Sequence, residues 1–170
     1  MRIGFRSLES ADLRLLHTWL QREHVRRWWT KHETYEDVVQ HYLPAIEGRQ
    51  PTELYVIRFD GRPAGFIQTY LVSDYPEYRE LVGVEDGVVG VDLFLADEKL
   101  TGHGLGSATL REFLRDIVFS EPGTHACVAD PDTENLVSIR AFEKAGFRAV
   151  RQFLDPSDGN RLHTLVRVDR

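Results

Sequence analysis

An apolar run carrying a single acid, Val88-Val89-Gly90-Val91-Asp92-Leu93-Phe94-Leu95, is followed within a few residues by Thr101-Gly102-His103-Gly104-Leu105-Gly106-Ser107. Short runs rich in Val, Leu and Phe predict a buried strand. The glycines predict a tight turn. Leu105, Ala108, Leu110, Phe113, Leu114, Ile117 and Val118 then recur at helical spacing, so a helix opens directly from that turn. A strand, a glycine turn and a helix N-terminus together form an anion site, because glycines admit a close backbone approach and unpaired N–H groups point at the ligand. The stretch therefore reads as a place for a phosphorylated cofactor.

Length and charge set the frame. The 170 residues, 42% of them hydrophobic, suit one domain over 1–170, and a chain of this size removes about 70% of its unfolded surface from water. No apolar run approaches the roughly 20 residues that span a bilayer. Met1-Arg2-Ile3-Gly4-Phe5-Arg6 has no apolar core followed by a small-residue cleavage site, so a cytoplasmic protein is expected, with no membrane partner. The net charge of -6 disfavours nucleic acid and favours a cationic small-molecule substrate. The single cysteine, Cys127, lies in His125-Ala126-Cys127-Val128-Ala129 and reads as a buried thiol in a strand. The seven histidines show no tight ligand spacing, so no metal is expected.

Along the chain, residues 3–7 read as a first strand, and Ser10 as the cap of a helix with Leu13, Leu16, Trp19 and Leu20 on one face. Trp28 and Trp29 point in different directions on any helix. Either one is core and the other partly exposed, or the pair stacks on a substrate. Thr34 with Asp37 resembles a capping pair for a helix through Val38, Tyr42, Leu43 and Ile46. Residues 54–59 and 64–72 are β-rich and joined through Asp60-Gly61, a hairpin signal. Residues 73–87 are polar with no clear period and read as a long loop. A strand at 125–129, a helix from Asn135 to Ala145 ended by Gly146, and a last hairpin of residues 147–154 and 162–168 complete the order. There is no internal repeat.

The glycine turn lacks the parallel βαβ context of a dinucleotide fold and the Gly-Lys-Ser/Thr ending of a P-loop. Taken with Asn135-Leu-Val-Ser-Ile-Arg-Ala-Phe-Glu-Lys-Ala-Gly-Phe147 it resembles the GNAT superfamily of acetyl-CoA-dependent N-acetyltransferases, over nearly the whole order of elements. The similarity is greatest to the aminoglycoside 6'-N-acetyltransferases, through His24-Val-x-x-Trp-Trp29, Tyr42-Leu-Pro44, Gly65-Phe-Ile-Gln-Thr-Tyr70, Gly90-Val-Asp92, Gly102-x-Gly-Leu-Gly106, Asp130-Pro and Glu143-Lys-Ala-Gly-Phe147. The resemblance implies an α/β (α+β) GNAT fold: a mostly antiparallel mixed sheet of about six to seven strands, flanked by helices and splayed at the fourth strand. It also implies acetyl-CoA as cofactor and CoA as product, an aminoglycoside 6'-amino group as acceptor, and direct attack of the amine on the thioester.

On that resemblance Asp92 is the catalytic base, and acetyl-CoA is held by Leu93, Phe94, Leu95, His103, Gly104, Leu105, Gly106, Ser107, Asn135 and Phe142. Trp28, Trp29, Glu77, Asp92 and Asp130 face the acceptor. Carboxylates also suit the chemistry, since a polycationic sugar must be held and one ammonium must lose a proton before attack. Taken by itself, Asp92 has the alternative of a structural hydrogen bond, and Asp130-Pro131 that of a helix-entry turn. Two departures stand out: Thr101 where Arg or Gln is usual, and Phe142 where many relatives carry a Tyr placed to protonate the leaving thiolate. They leave open an acyltransferase for another amine (a hydroxylysine siderophore precursor, a polyamine or a protein N-terminus) or a catalytically silent acyl-CoA-binding module. A monomer and a homodimer are equally compatible.

Overall fold

The computed structural model describes residues 1–170. Seven strands, β1 (Ile3–Ser7), β2 (Glu53–Phe59), β3 (Arg62–Leu71), β4 (Val88–Leu95), β5 (Ala126–Ala129), β6 (Arg148–Asp155) and β7 (Arg161–Asp169), form one sheet in the order β1-β2-β3-β4-β5-β7-β6. The sheet is mixed: β1 and β2 pair antiparallel, β4 and β5 parallel, and β7 runs antiparallel to both β5 and β6. The helices are α1 (Leu13–Leu20), α2 (Glu23–Arg26), α3 (Tyr35–Ile46), α4 (Pro76–Val82), α5 (Leu105–Phe113) and α6 (Leu136–Lys144). None is long and apolar enough to cross a membrane. The chain gathers into two compact units, residues 1–68 with 93–100 and residues 69–92 with 101–170, so β3 and β4 each contribute to both.

In the first unit the apolar face of α1 is buried as the spacing predicts, with Leu16 and Leu20 wholly out of water beside Leu13 and Trp19. Each such side chain contributes about 1.5–3 kcal/mol on burial. The entry to α1 differs from the expectation of a Ser10 cap. Ser10–Asp12 is a 3₁₀ turn, and the reciprocal capping bonds join Glu9 and Asp12. Arg6 explains the shift: its guanidinium holds both Asp12 oxygens at 2.9 Å, which anchors the turn on Asp12. Thr34 and Asp37 do form the reciprocal cap of α3, at 3.0 Å in each direction. Asp60 and Gly61 both take positive φ, +50° and +82°, which a two-residue type I′ hairpin requires.

In the second unit, residues 73–87 are not the unstructured loop that their lack of period implied. A short 3₁₀ turn precedes α4, which starts with Pro76 at its first turn and stops at Gly83 in the left-handed region. A helix of seven residues, with only Val82 buried, is too short to display a hydrophobic period. Strand β4 pairs with β5 only through Val88, Val89 and Gly90, so its second half leaves β5, the splay expected at the fourth strand. The helix opening from the glycine turn is regular to Phe113 and widens into a π turn over Leu114–Val118. Cys127 lies wholly buried in β5, where burial pushes its thiol far up and Asp92 adds to the shift.

Candidate functional site

Asp92 sits half-buried on the splayed part of β4. Two residues earlier, the glycine at 90 has a steric cause. A Cβ there would stand 2.5 Å from Cε2 and Cζ of Tyr70 and 2.7 Å from its hydroxyl, so only glycine lets that ring lie across β4. Thr69 Oγ1 donates to the Gly90 carbonyl at 2.9 Å, fixing β3 against β4 at that point. From Tyr70 a ladder of aromatic and polar groups leads away from Asp92. The Tyr70 and Tyr78 rings meet edge-on at 5.9 Å, and the Tyr78 hydroxyl donates to Asp130 Oδ1 at 2.5 Å. Both phenols are raised well above the ordinary tyrosine value, first by burial and then by neighbouring groups that include the charges of Asp92 and Asp130. They remain protonated donors at any working pH.

Asp130 itself is held from the other side. His163, projecting from β7 with its side chain only 10% exposed, places Nδ1 3.0 Å from Asp130 Oδ2 and 2.6 Å from the Asp130 carbonyl, and Nε2 2.7 Å from Asp158 Oδ2. Asp155 Oδ2 stands 3.8 Å from Nδ1. Asp132 is buried nearby and paired through Oδ2 with Arg161 Nε at 2.7 Å. The loop carrying these acids is stitched to β7 by main-chain bonds, Thr133 N–H to the Leu162 carbonyl and Thr164 N–H to the Pro131 carbonyl, each 2.9 Å. The oxygens of Asp130 and Asp155 with His163, and of Asp132 and Asp158 with His163, fall within 4.8 Å of one another. Both ring nitrogens are aimed at oxygen acceptors, which suits a shared proton better than a metal ion.

Burial by itself would lower the His163 pKa, but the bonds and charges of Asp130 and Asp158 outweigh it and raise the ring from 6.5 to about 9. A histidine whose pKa rises on folding contributes stability that is fully present below its unfolded value of 6.5 and is lost as pH climbs through about 9. The unfolding free energy from urea titration should therefore fall by about 2 kcal/mol more for the wild type than for His163→Gln between pH 7 and pH 10. Parallel pH dependence in the two proteins would refute this coupling.

The expected cofactor residues fall as follows. Gly104, at φ +79°, is the N-cap of α5 and supplies no side-chain cap; the first α5 bond runs from Ala108 N–H to the Gly104 carbonyl. The amides of Leu105, Gly106 and Ser107 thus open the helix in the manner of an anion site. Added Cβ atoms at Gly102 and Gly104 would meet nothing within 4 Å, so the approach is open, and His103 between them is exposed. The buried Ser107 hydroxyl is turned back onto the Gly104 carbonyl at 3.0 Å. Asn135 caps α6, its side chain accepting from Ser138 N–H at 3.2 Å. Phe142 is buried against Phe147, ring centres 5.0 Å apart.

Leu93 is half-buried, whereas the Phe94 side chain belongs to the core of the first unit, between Trp19, Trp29 and Phe66, leaving its backbone for any ligand. The carbonyl of the buried Leu95 lies 2.9 Å from His24 Nε2. Trp29 packs on Phe66 and Phe94 as a partly buried core ring, and Trp28 is half-exposed with the Arg27 guanidinium 6.0 Å from its ring centre. The pair therefore divides into one core ring and one partly exposed ring. Glu77 is exposed in the first turn of α4.

The structure brings together Asp130, Tyr78, Tyr70 and His163, with Asp155 and Asp158 around them. Of these, only Asp130 was singled out as a site residue from sequence. His163 has one local signal, its place in the last hairpin just after the acid-rich turn Asp155-Pro-Ser-Asp158.

Residues 9–154 match the model of the acetyltransferase (GNAT) domain family. The chain belongs to the GNAT acetyltransferases. It is 32% identical over 148 residues to the aminoglycoside N(6')-acetyltransferase type 1 of Klebsiella pneumoniae, covering 85% of this chain and 73% of that protein. It is 24% identical, also over 148 residues, to the lysine N-acyltransferase MbtK of Mycobacterium tuberculosis, covering 84% of this chain and 67% of the relative. Among solved structures, AAC(6')-Ib in complex with parmomycin and acetyl-CoA superposes with a TM-score of 0.89 at 29% identity, covering 100% of this chain and 94% of that one. As a member of the family, this GNAT protein carries a mixed sheet of seven strands, within the six to seven that the resemblance implies, and the glycine turn before α5.

Proposed function

We propose that this GNAT protein is an acetyl-CoA-dependent N-acetyltransferase acting in the cytoplasm on a primary amine of an aminoglycoside, with the 6'-amino group preferred. The observation that carries the reading is the acid-lined cluster of Asp130, Asp155 and Asp158 around His163, flanked by the partly buried Tyr78 and Tyr70, whose phenols feel the charge of Asp92 as well as that of Asp130. A polycationic sugar needs fixed carboxylates, and an attacking amine needs one nearby base. The similarity to an aminoglycoside N(6')-acetyltransferase over most of the chain supports it.

When bound, acetyl-CoA supplies the acyl group as a thioester. The α5 amides at Leu105, Gly106 and Ser107 are the groups that fit its pyrophosphate, with the Gly102–Gly104 turn giving room for close approach. Asn135 marks the start of α6, where the pantetheine arm would run. Asp92 would take the first proton from the acceptor ammonium, freeing the nitrogen lone pair for the new C–N bond as the C–S bond breaks, and the nitrogen would shed its second proton to solvent as the amide forms. Asp130 holds a second ammonium of the acceptor. Phe142 has no proton to give to the departing sulfur, and none is required: a thiol with a pKa of about 8.5 leaves as a thiolate and is protonated by solvent.

Thiol release from acetyl-CoA, measured across a panel of kanamycin-type aminoglycosides, lysine and hydroxylysine derivatives, and polyamines, tests the reading. Aminoglycosides should give kcat/KM at least a hundred-fold above the other amines, about the discrimination of one buried charge pair. Preference for lysine-type amines would select instead the reading favoured by the likeness to a lysine N-acyltransferase. Coenzyme binding without turnover on any amine would select the silent module.

A further inference from the structure

We propose that His163 is a positioning residue for the acceptor site: as an imidazolium clamped between Asp130 and Asp158, it fixes the Asp130 carboxylate in one orientation, open to an ammonium group of the acceptor. The inference rests on the aminoglycoside reading above and adds to it a residue with no acceptor contact of its own.

Hydrogen-bond accounting requires the charged ring. Nδ1 faces the carbonyl and Oδ2 of Asp130, and Nε2 faces Oδ2 of Asp158, so each nitrogen meets only acceptors. A neutral imidazole has one N–H and one lone pair, and in either tautomer the lone pair would point at a carboxylate or carbonyl oxygen. Only the protonated ring donates on both sides. The Tyr78 hydroxyl then takes Asp130 Oδ1, so each oxygen of this carboxylate has one internal donor and the side chain has no freedom to swing. Each oxygen also keeps a lone pair for a ligand.

The surrounding charges explain why a cation is needed here. Facing His163 are Asp130 and Asp132 from the loop after β5, Asp155 at the end of β6 and Asp158 in the following turn, with the Phe153 ring at 6.0 Å; Tyr78 from α4 reaches Asp130, and Arg161 on β7 reaches Asp132. Arg161 is occupied by Asp132 and Glu134. Without a charge on His163, Asp130, Asp155 and Asp158 would face one another with no positive group between them. With it, the acids still outnumber the cation, and the cluster stays negative toward a bound ammonium.

Two measurements test the inference. First, ¹⁵N-detected titration of the His163 ring in the protein without acceptor should show both nitrogens protonated at pH 7.5, and Asp130→Asn should lower its midpoint by at least a factor of ten in proton affinity. Second, His163→Gln, which keeps one donor and removes the charge, should raise KM for the acceptor about ten-fold while kcat stays within about three-fold and acetyl-CoA affinity is unchanged. Tyr78→Phe should move the same constant in the same direction by less. A His163 ring that is neutral at pH 7.5 overturns the inference, and so does an unchanged acceptor KM in His163→Gln. If His163→Gln does not fold, the ring titration of wild type and Asp130→Asn decides. A wild type inert toward every aminoglycoside overturns the functional reading and the acceptor role with it, whereas the ring titration reports on the clamp whichever amine is accepted.

Discussion

Asp92→Asn is expected to lower kcat for the preferred acceptor by about 10²–10³-fold, with acetyl-CoA affinity within two-fold of wild type. The substitution keeps the shape of the side chain and removes the charge, so β4 should hold its course past Tyr70. The loss should shrink as pH rises above the acceptor's own amine pKa, because a growing share of the substrate then arrives deprotonated and needs no base. A structural role for Asp92, such as a hydrogen bond within the sheet, predicts instead lost stability with a rate near that of wild type at all pH values. Steady-state kinetics from pH 6 to pH 10, with urea midpoints measured on the same samples, separate the two.

Gly65→Ala should destabilise the protein by about 3 kcal/mol, some 6–12 °C in Tm for a chain of this size. A Cβ at position 65 would collide with the Phe94 carbonyl oxygen and stand 3.1 Å from the Leu95 Cα and 3.3 Å from Ile57 Cδ1. Two of those three are backbone atoms with no rotamer to give way. Because Phe94 and Leu95 lie in the splayed half of β4, any relief must displace the strand that carries Asp92, and activity should fall along with stability. Gly4→Ala is the matched control: no atom lies within 4 Å of its Cβ position, and its midpoint should change by less than about 0.5 kcal/mol. Equal midpoints for the two variants would show that β4 yields to residue 65, contrary to the packing argument.

Residues whose structure depends on near neighbours were legible from the chain alone. Asp60-Gly61 specifies its hairpin because those residue types tolerate positive φ, and Thr34 with Asp37 caps α3 because the partners are three residues apart. The glycine turn before α5 belongs to the same class, and the motif around Asn135 carried the family resemblance. Where local signals compete or a period is too short, the fold departs from what the local pattern predicts. Ser10 looked like a cap, but Arg6 recruits Asp12 and the box forms on Glu9. Residues 73–87 hid a helix of two turns that is marked only by Pro76 and Gly83. That helix matters, because it supplies Tyr78 to the site.

By itself, then, the sequence determined most of the order of elements, the phosphate-type turn and the acid on β4, which are written in spacing and turn chemistry, and its motifs carried the resemblance to the family. Only the tertiary structure decided how Asp130 is held. Tyr78 and His163 lie 52 and 33 residues from it along the chain, and neither has a periodicity or motif that points to a carboxylate. His163 reaches Asp130 because β7 runs between β5 and β6 in the sheet, which sets a histidine from the last strand against the loop that leaves β5. A hydrogen bond needs its donor and acceptor within about 3 Å, and over such separations in sequence only strand order can bring them that close.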